Sequence, residues 1–252
     1  MNYESSGVDL LIPTSSSIAA ECDLARGFVC LTTHRSFDES LTTSLSDAGQ
    51  RIGDLLSDRY GATPTAIALA HQIHGGTVRH VKITSDRVQK LPDCDGLATE
   101  SHGAFLAIRT ADCLPVVLVD PVERRAACLH AGWRGTFENI VGAGVAALQA
   151  MGSTARNMRC WVGPGISGEC YEVSEELVQQ FDQRFSTLGD FSAGRRLNLP
   201  ALNRLQALAA GIPESSVVMS GLCTFSLPEE FHSHRRQGRE RGHLYTVCGF
   251  CH

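Results

Sequence analysis

Three short apolar segments near the middle of the chain constrain the fold most. They span residues 104–109 (AFLAIR), 115–120 (PVVLVD) and 125–130 (RAACLH), with a few residues between one and the next. Continuous apolar runs of this length are typical of strands that are buried on both faces. A helix is predicted directly after them, over residues 136–151, because apolar residues recur there at helical spacing and Gly152 can end it. This region therefore predicts a buried β-sheet that is covered by a helix.

Strands and helices also alternate through the rest of the chain. Further strands are predicted at residues 27–33, 65–70, 77–83, 159–162, 216–220 and 244–250. Three further helices are predicted: one at residues 42–56, one that begins after Ser174 as its cap, and one at residues 198–210. Residues 1–25 are predicted to be a weakly structured lead-in, and residues 26–252 a single domain. Because no linker-like break interrupts the alternation, we expect one α+β or mixed α/β domain.

The composition argues against several functional classes. Hydrophobic residues make up 43% of the 252 residues, which is enough to build a core, and no apolar run is long enough to be a transmembrane helix. The net charge of −5 gives no electrostatic reason to bind nucleic acid. No secretory signal is recognisable, so we expect a cytoplasmic protein whose ten cysteines are reduced and serve as buried apolar groups or ligands.

Polar residues at the ends of predicted strands are the first candidates for function, because a rigid sheet positions the loops there. His74 lies in a glycine-containing turn, where it is either a structural turn residue or a ligand. Cys113 follows Asp112 between two buried strands. It can be a nucleophile, a soft metal ligand, or a small buried residue that fills a gap.

Two further segments have residues suited to anions. The predicted helix start at Thr136 is preceded by Arg134 and two glycines, which suits either an anion site or an ordinary helix cap. The basic segment, residues 231–241, has four arginines within seven residues. It is either a solvated loop or a lid that places guanidinium groups over an anionic substrate.

A metal site is one way to join these segments. A catalytic zinc site uses three protein ligands and leaves one position open. His74, Cys113 and His130 each lie at the edge of a predicted strand, and neighbouring strands can bring them together. Competing ligands are His71, His80, Cys94 and Cys128. From the residues alone, the His74–Cys113–His130 triad is one choice among several.

The same segments resemble the YfiH, or laccase-domain (polyphenol oxidoreductase-like), family. The matching stretches are QIHG (72–75), DCDGLAT (93–99), TADCLPVVLVD (110–120), HAGWRGT (130–136), GPGISGECYEV (163–173), CTF (223–225) and FHSHRR (231–236). They follow the family order over most of the chain, and TADCLP together with HAGWRGT is specific. The resemblance implies an α+β fold, a single domain with mixed β-sheet layers flanked by helices, similar to the catalytic domain of cytotoxic necrotizing factor.

The resemblance also implies a function. The family's His–Cys–His metal site carries over to His74, Cys113 and His130, with zinc, or alternatively copper, as the ion. Family members are described as purine nucleoside enzymes that phosphorolyse adenosine, inosine and methylthioadenosine and deaminate adenosine. The implied partners are therefore a small-molecule nucleoside and phosphate, with neither nucleic acid nor a membrane. The chain departs from the family at His234, where a Tyr is usual, and at Arg241-Gly242-His243, where Thr-Gly-Arg is frequent.

Roles for the remaining residues follow from this reaction class. Asp112, beside Cys113, is expected to orient a ligand or move a proton in catalysis. The expected substrate-binding residues are Trp133 and Tyr171, which can stack on a purine, and Arg134, Thr136, Arg235 and Arg236, which can hold phosphate.

Three alternatives stay open. Cys113 and His130 can form a metal-independent cysteine hydrolase or deamidase. A copper-dependent polyphenol oxidoreductase is disfavoured, because the sequence has one His-x-His pair, His232 and His234, and multicopper sites need several. A protein that binds purine nucleosides without turning them over is the third. The sequence does not predict the oligomeric state.

Overall fold

The computed structural model describes residues 10–11, 18–37 and 44–251 of the chain. Its strands are β1 (Leu10–Leu11), β2 (Ile18–Cys22), β3 (Phe28–Thr33), β4 (Ala66–Ala70), β5 (Val78–His80), β6 (Val88–Leu91), β7 (Gly96–Thr99), β8 (Ala104–Thr110), β9 (Leu114–Asp120), β10 (Arg125–Ala131), β11 (Arg159–Val162), β12 (Ser192–Ala193), β13 (Arg196–Leu197), β14 (Val217–Met219) and β15 (Leu244–Phe250). Its helices are α1 (Leu45–Tyr60), α2 (Trp133–Phe137), α3 (Ile140–Ala150), α4 (Glu175–Phe185), α5 (Leu199–Ala209) and α6 (His234–Gln237).

Two mixed sheets pack face to face. One has seven strands in the order β1-β2-β3-β15-β8-β4-β6, and the other has six in the order β14-β11-β9-β10-β7-β5. Side chains from both sheets fill the space between them, including Leu106 and Cys248 from the first and Val117 and Trp161 from the second. The alternation of side chains along each strand leaves an opposite apolar face on each sheet, which the helices must cover.

Helices cover both outer faces. Ile52 and Leu56 of α1 pack against the seven-stranded sheet. Val145 of α3, Phe181 of α4 and Leu202 of α5 pack against the six-stranded sheet. The order of layers is therefore helix, sheet, sheet, helices. This confirms the expectation of an α+β domain with mixed β-sheet layers flanked by helices.

The helix predicted over residues 136–151 is two helices, and its predicted start is wrong. Helix α2 begins at Trp133, and Asn139 separates it from α3. Asn139 has a φ of 60°, in the left-handed region that Asn tolerates better than most residues, and its side chain accepts a hydrogen bond from the Gly142 N–H. The left-handed residue interrupts the continuous helix that the apolar spacing predicts, and its side-chain hydrogen bond caps α3.

The predicted weakly structured lead-in is wrong for residues 18–22. These residues form β2, which pairs with β3 inside the seven-stranded sheet, and β1 pairs with β2 in turn. Residues 1–9 and 12–17 of the predicted lead-in lie outside the described residues. None of the helices in the described ranges has both the length and the apolar content that crossing a bilayer demands.

Sequence reasoning also missed β6 and β7. β6 is a partly polar segment at the edge of its sheet, so it lacks the apolar pattern of a buried strand. β7 is four residues long and fully buried. Its position matters for function, because the residue before β7 is Asp95.

Candidate metal centre

Three metal-ligating side chains converge at one end of the sandwich. His74 lies in the turn after β4, Cys113 in the tight connection between β8 and β9, and His130 near the end of β10. Their ligand atoms all lie within 4.8 Å of one another, and the two imidazole centroids are 4.9 Å apart. His130 is buried, Cys113 half-buried and His74 exposed, so the cluster is open to solvent on the His74 side.

Asp95 fixes the His74 turn. His74 has a φ of 64°, an uncommon conformation for a residue with a side chain. The Asp95 carboxylate accepts hydrogen bonds from three consecutive backbone N–H groups, those of Ile73 (3.2 Å), His74 (2.9 Å) and Gly75 (2.7 Å). One buried carboxylate therefore holds the turn that presents His74.

The same carboxylate orients His130. Oδ1 of Asp95 lies 2.7 Å from Nδ1 of His130, and the backbone N–H of His130 donates to the Asp95 carbonyl oxygen at 2.7 Å. Because Nδ1 is engaged, Nε2 is the nitrogen left for a ligand. A carboxylate on the far nitrogen is the usual support of a metal-binding histidine. Burial opposes ionisation of Asp95, but hydrogen bonds from His130 and from the Gly75 backbone outweigh it and lower the pKa of the carboxyl.

Cys113 and His130 each shift the pKa of the other toward its charged form. Burial raises the pKa of Cys113, but the adjacent His130 charge and hydrogen bonds from His130 and His74 outweigh burial and lower it to about 6. Burial lowers the pKa of His130, but the Cys113 thiolate and Asp95 outweigh burial and raise it. The site therefore stabilises the deprotonated sulfur that a metal or an electrophile needs.

Two glycines let these segments approach closely. A Cβ at Gly132 would lie 2.9 Å from the Cys113 Sγ, and a Cβ at Gly135 would lie 2.9 Å from the Gly75 carbonyl oxygen. Both distances are shorter than side-chain carbons tolerate, so the strand-to-helix connection packs against the Cys113 and His74 segments only with glycine at these positions.

A cavity of about 170 Å³ opens at the cluster. It is lined by Gln72, His74, Arg109, Thr110, Ala111, Cys113, His130, Arg241 and His243. Gln72 joins two of the walls, since its side chain donates to the Arg109 carbonyl oxygen at 2.7 Å and accepts from the Arg109 N–H at 2.8 Å. Among the described residues, Arg109 and Arg241 each have a buried Nε without a hydrogen-bond partner. The cavity thus combines a candidate metal site with two guanidinium groups.

A family model described as multi-copper polyphenol oxidoreductase laccase matches residues 44–251. The chain belongs to this family. The resemblance expected from the QIHG, TADCLP and HAGWRGT segments is confirmed, and the match includes all three cluster residues.

Named relatives and solved structures agree with this membership. The chain is 37% identical to a purine nucleoside phosphorylase of Xylella fastidiosa over 183 residues, 70% of this chain and 69% of that protein. It is 35% identical to adenosine deaminase RL5 from an unknown prokaryotic organism over 162 residues, 62% of each chain. YlmD from Geobacillus stearothermophilus has the same fold, with a TM-score of 0.83 and 27% identity over 98% of this chain and 100% of that one.

The four competing ligand candidates lie outside the His74–Cys113–His130 cluster. Cys94 and Cys128 are buried in the core between the sheets. His71 and His80 are surface residues whose ring nitrogens lie 3.5 and 3.7 Å from carboxylate oxygens. His234 is exposed, and its Nδ1 lies 3.1 Å from the Gly238 carbonyl oxygen. The altered residues that reach the cavity are instead Arg241 and His243.

Asp112 connects the cluster to the basic segment. It is buried and has a φ of 86°. Its Oδ1 accepts from the Thr224 hydroxyl at 2.7 Å, and its Oδ2 accepts from the Arg235 N–H at 2.6 Å. Both carboxylate oxygens are thus engaged within the protein, and Asp112 positions the basic segment next to Cys113.

The two arginines of the FHSHRR stretch have different surroundings. The Arg236 guanidinium donates to the carbonyl oxygens of Thr224, Phe225 and Phe231 at 2.6–2.8 Å, so it holds its own segment together. Arg235 is exposed. Its guanidinium donates to the Glu172 carbonyl oxygen at 2.9 Å and lies 5.1 Å from the Tyr171 ring centroid. Arg235 is therefore the one of this pair whose charge faces outward.

Arg134 and Thr136, the predicted phosphate-binding residues between β10 and α3, also differ in their exposure. Arg134 is exposed and stacks 4.4 Å above the Trp133 ring. Thr136 is buried inside α2, and its hydroxyl accepts a hydrogen bond from Asn203 at 3.0 Å. Its hydroxyl is thus used within the fold rather than presented at a helix start.

Tyr171 lies within electrostatic reach of the cluster. Burial raises the pKa of Tyr171 to about 12, and the charge of the Cys113 thiolate acts in the same direction. Arg134 and Arg235 have the opposite effect on this phenol, so both cationic groups are close to it. Tyr171, Arg134 and Arg235 therefore lie near one another, within electrostatic reach of Cys113.

Proposed function

We propose that this protein is a metal-dependent purine nucleoside enzyme that phosphorolyses adenosine, inosine and methylthioadenosine and deaminates adenosine. The observation that carries the proposal is the convergence of His74, Cys113 and His130, with Asp95 on the far nitrogen of His130. The names of the relatives, which include both a purine nucleoside phosphorylase and an adenosine deaminase, supply the substrate class.

The donor set fits a zinc ion. Zinc accepts imidazole nitrogen at about 2.0–2.1 Å and thiolate sulfur at about 2.3 Å, and catalytic sites combine three protein ligands with an open position. Three donor atoms within 4.8 Å, one of them a thiolate stabilised by its surroundings, meet this requirement. Copper accepts the same donor types and is the alternative ion. When bound, such an ion supplies Lewis acidity to the oxygen nucleophile.

The protein's own residues would position the substrates around this centre. In phosphorolysis, phosphate displaces the purine from ribose C1′, and the purine leaves with a proton. We propose Arg235 and Arg134 as phosphate-binding groups, since both are exposed cations near Tyr171. Tyr171 and Trp133 would stack on the purine. Arg236 and Thr136, whose polar atoms are engaged within the fold, would support this binding surface indirectly.

Asp112 would hold the proposed phosphate-binding arginine close to Cys113. Its carboxylate holds the backbone N–H of Arg235 and the hydroxyl of Thr224. Loss of these two bonds would release the basic segment from the Cys113 turn. The proposed catalytic contribution of Asp112 is therefore to fix the distance between the phosphate-binding arginine and the metal ligand.

A product screen tests this function. Purified protein would be incubated with each nucleoside, with and without inorganic phosphate, and the products separated by chromatography. We expect free purine and ribose 1-phosphate when phosphate is present, and inosine from adenosine when it is absent. His74→Ala and His130→Ala should remove both activities. Full turnover by either variant in its metal-free form would refute the proposal.

A cysteine hydrolase or deamidase is a second candidate, which one observation favours. Cys113, His130 and Asp95 form a chain in which a thiolate pairs with an imidazole that a carboxylate orients. This is the arrangement of an activated thiol nucleophile. Under this function, thiol alkylation abolishes activity and a chelator leaves it intact, whereas a metal-dependent enzyme is sensitive to the chelator.

A further inference from the structure

Cys223 lies in an environment built of hydrogen-bond donors. It pairs with Gly165 in an isolated bridge, and residues 224–226 turn directly after it. Its Sγ accepts the Ser167 N–H at 3.4 Å and further hydrogen bonds from Ser226. Burial raises the pKa of this thiol, but these donors outweigh burial and lower it to about 7. A thiolate is thus accessible at Cys223 near neutral pH.

A second thiol approaches the same serine. The Cys170 Sγ lies 3.4 Å from the Ser226 Oγ. The chain returns on itself between Ser167 and Cys170, since the Cys170 N–H donates to the Ser167 carbonyl oxygen at 3.0 Å. Cys170 and Cys223 therefore share Ser226 as a neighbour, and both are half-buried. The two thiols therefore lie on either side of one serine side chain, close enough for both sulfurs to hydrogen-bond to Ser226.

The thiols of the core differ from this pair. Cys22, Cys94 and Cys160 are buried, and burial raises their pKa values to about 12, 11 and 12. Such thiols are protonated and shielded from oxidants. Cys223 combines a stabilised thiolate, partial exposure and a neighbouring thiol, which is the arrangement of a redox-sensitive cysteine with a resolving partner.

We propose that Cys223 and Cys170 form a reversible thiol–disulfide pair that reacts with hydroperoxides. The Cys223 thiolate attacks the peroxide, a sulfur–oxygen bond forms, the O–O bond breaks, and the alcohol or water product takes a proton from solvent. The sulfur loses two electrons and the peroxide gains them. Cys170 then attacks the Cys223 sulfenic acid, an S–S bond forms, and water leaves with the Cys170 proton. A dithiol reductant restores both thiols.

The disulfide would join two turns whose neighbouring residues belong to the surroundings of the candidate metal centre. Thr224, the residue after Cys223, donates to Asp112, and Tyr171 follows Cys170. Oxidation would thus act beside the residues that position the basic segment. This thiol chemistry does not depend on whether the protein acts on nucleosides.

The test is peroxide treatment of the full chain, followed by alkylation of free thiols, digestion and mass spectrometry. In the wild-type protein we expect a peptide pair linked through Cys170 and Cys223 that dithiothreitol separates. Cys170→Ser should stop the reaction at a sulfenic acid on Cys223, which dimedone traps. Cys223→Ser should leave Cys170 unmodified at the same peroxide dose.

A matched control is Cys251→Ser, because Cys251 is also half-buried but burial raises its pKa. This variant should form the Cys170–Cys223 disulfide at the wild-type rate. Retention of both free thiols in wild type, at a dose that oxidises Cys251, would overturn the proposal. So would dimedone labelling of Cys223 in the wild type to the same extent as in Cys170→Ser, because Cys170 would then not resolve the sulfenic acid.

Discussion

Asp95 and His130 form a buried pair in which Oδ1 lies 2.7 Å from Nδ1, and the same carboxylate holds the backbone of the His74 turn. One residue therefore orients two of the three candidate ligands. The side chain that organises the centre would thus not itself contact the metal. It also makes the role of the carboxylate open to direct test.

Asp95→Asn should weaken zinc binding by about 10–100-fold, the usual effect of losing a carboxylate behind a ligating histidine. The amide group would also leave backbone donors without an acceptor, and we expect a loss of about 1–3 kcal/mol in the free energy of unfolding. Chelator competition and urea unfolding measure the two effects. Asp93→Asn is the matched control, since Asp93 is largely exposed and should change neither. Equal zinc affinity in both variants would contradict the assigned role.

The reactivity of Cys113 in the metal-free protein should depend on pH with an apparent pKa of about 6. The shift is downward because His130 stabilises the thiolate, so alkylation should already be near its maximum at pH 7. Replacing His130 with Gln should raise the apparent pKa, and the rate at pH 7 should fall. Iodoacetamide kinetics, with peptide mapping of Cys113, supply the measurement. A wild-type profile that rises only near pH 9 would be inconsistent with stabilisation of the Cys113 thiolate by His130.

Arg235 and Arg236 should respond differently to substitution. Arg236→Gln removes charged hydrogen bonds to three carbonyl oxygens and should cost about 2 kcal/mol of unfolding free energy. Arg235→Gln should change stability by less than about 0.5 kcal/mol, because Arg235 is exposed, but it should raise the KM for phosphate. Thermal unfolding and phosphate-dependent kinetics separate the two. The reverse pattern would show that the two side chains exchange roles.

Asn139→Ala should destabilise the protein by about 1–2 kcal/mol, because alanine neither caps α3 nor tolerates a φ of 60°. Asn139→Gly should cost less, since glycine adopts this conformation freely. Urea unfolding of the two variants measures the difference. Equal stability of Ala and Gly at this position would mean that the left-handed conformation is not what separates α2 from α3.

Much of the fold could be predicted from the sequence because its strands are apolar and buried. β8, β9, β10 and β15 lie where the apolar runs place them. Ser174 caps α4 as predicted, and α5 begins one residue after the predicted start, with Asn198 as its cap. The sequence pattern misses β2, β6 and β7, because each is only four or five residues long, too short for a distinct apolar pattern. The break at Asn139 was missed because apolar spacing continues through it.

The candidate centre was only partly accessible from sequence. The three ligand candidates were named, but spacing alone could not choose among them and their competitors, since strand pairing decides which loops meet. Asp95 was not singled out. Asp95 belongs to the DCDG segment and directly precedes β7. Its contact with His130 depends on how β7 pairs with β10, the strand that carries His130. Arg109 belongs to a predicted strand, and its place in the cavity wall depends on the tertiary fold.

Metal stoichiometry tests the central claim most directly. The wild-type protein and the Cys113→Ser and His130→Ala variants would be titrated with zinc after complete removal of metal, with bound zinc quantified at equilibrium. We expect one tightly bound ion per wild-type chain and loss of that ion in both variants, while circular dichroism shows the fold retained. Tight binding of one ion by both variants, or none by the wild type, would contradict the account.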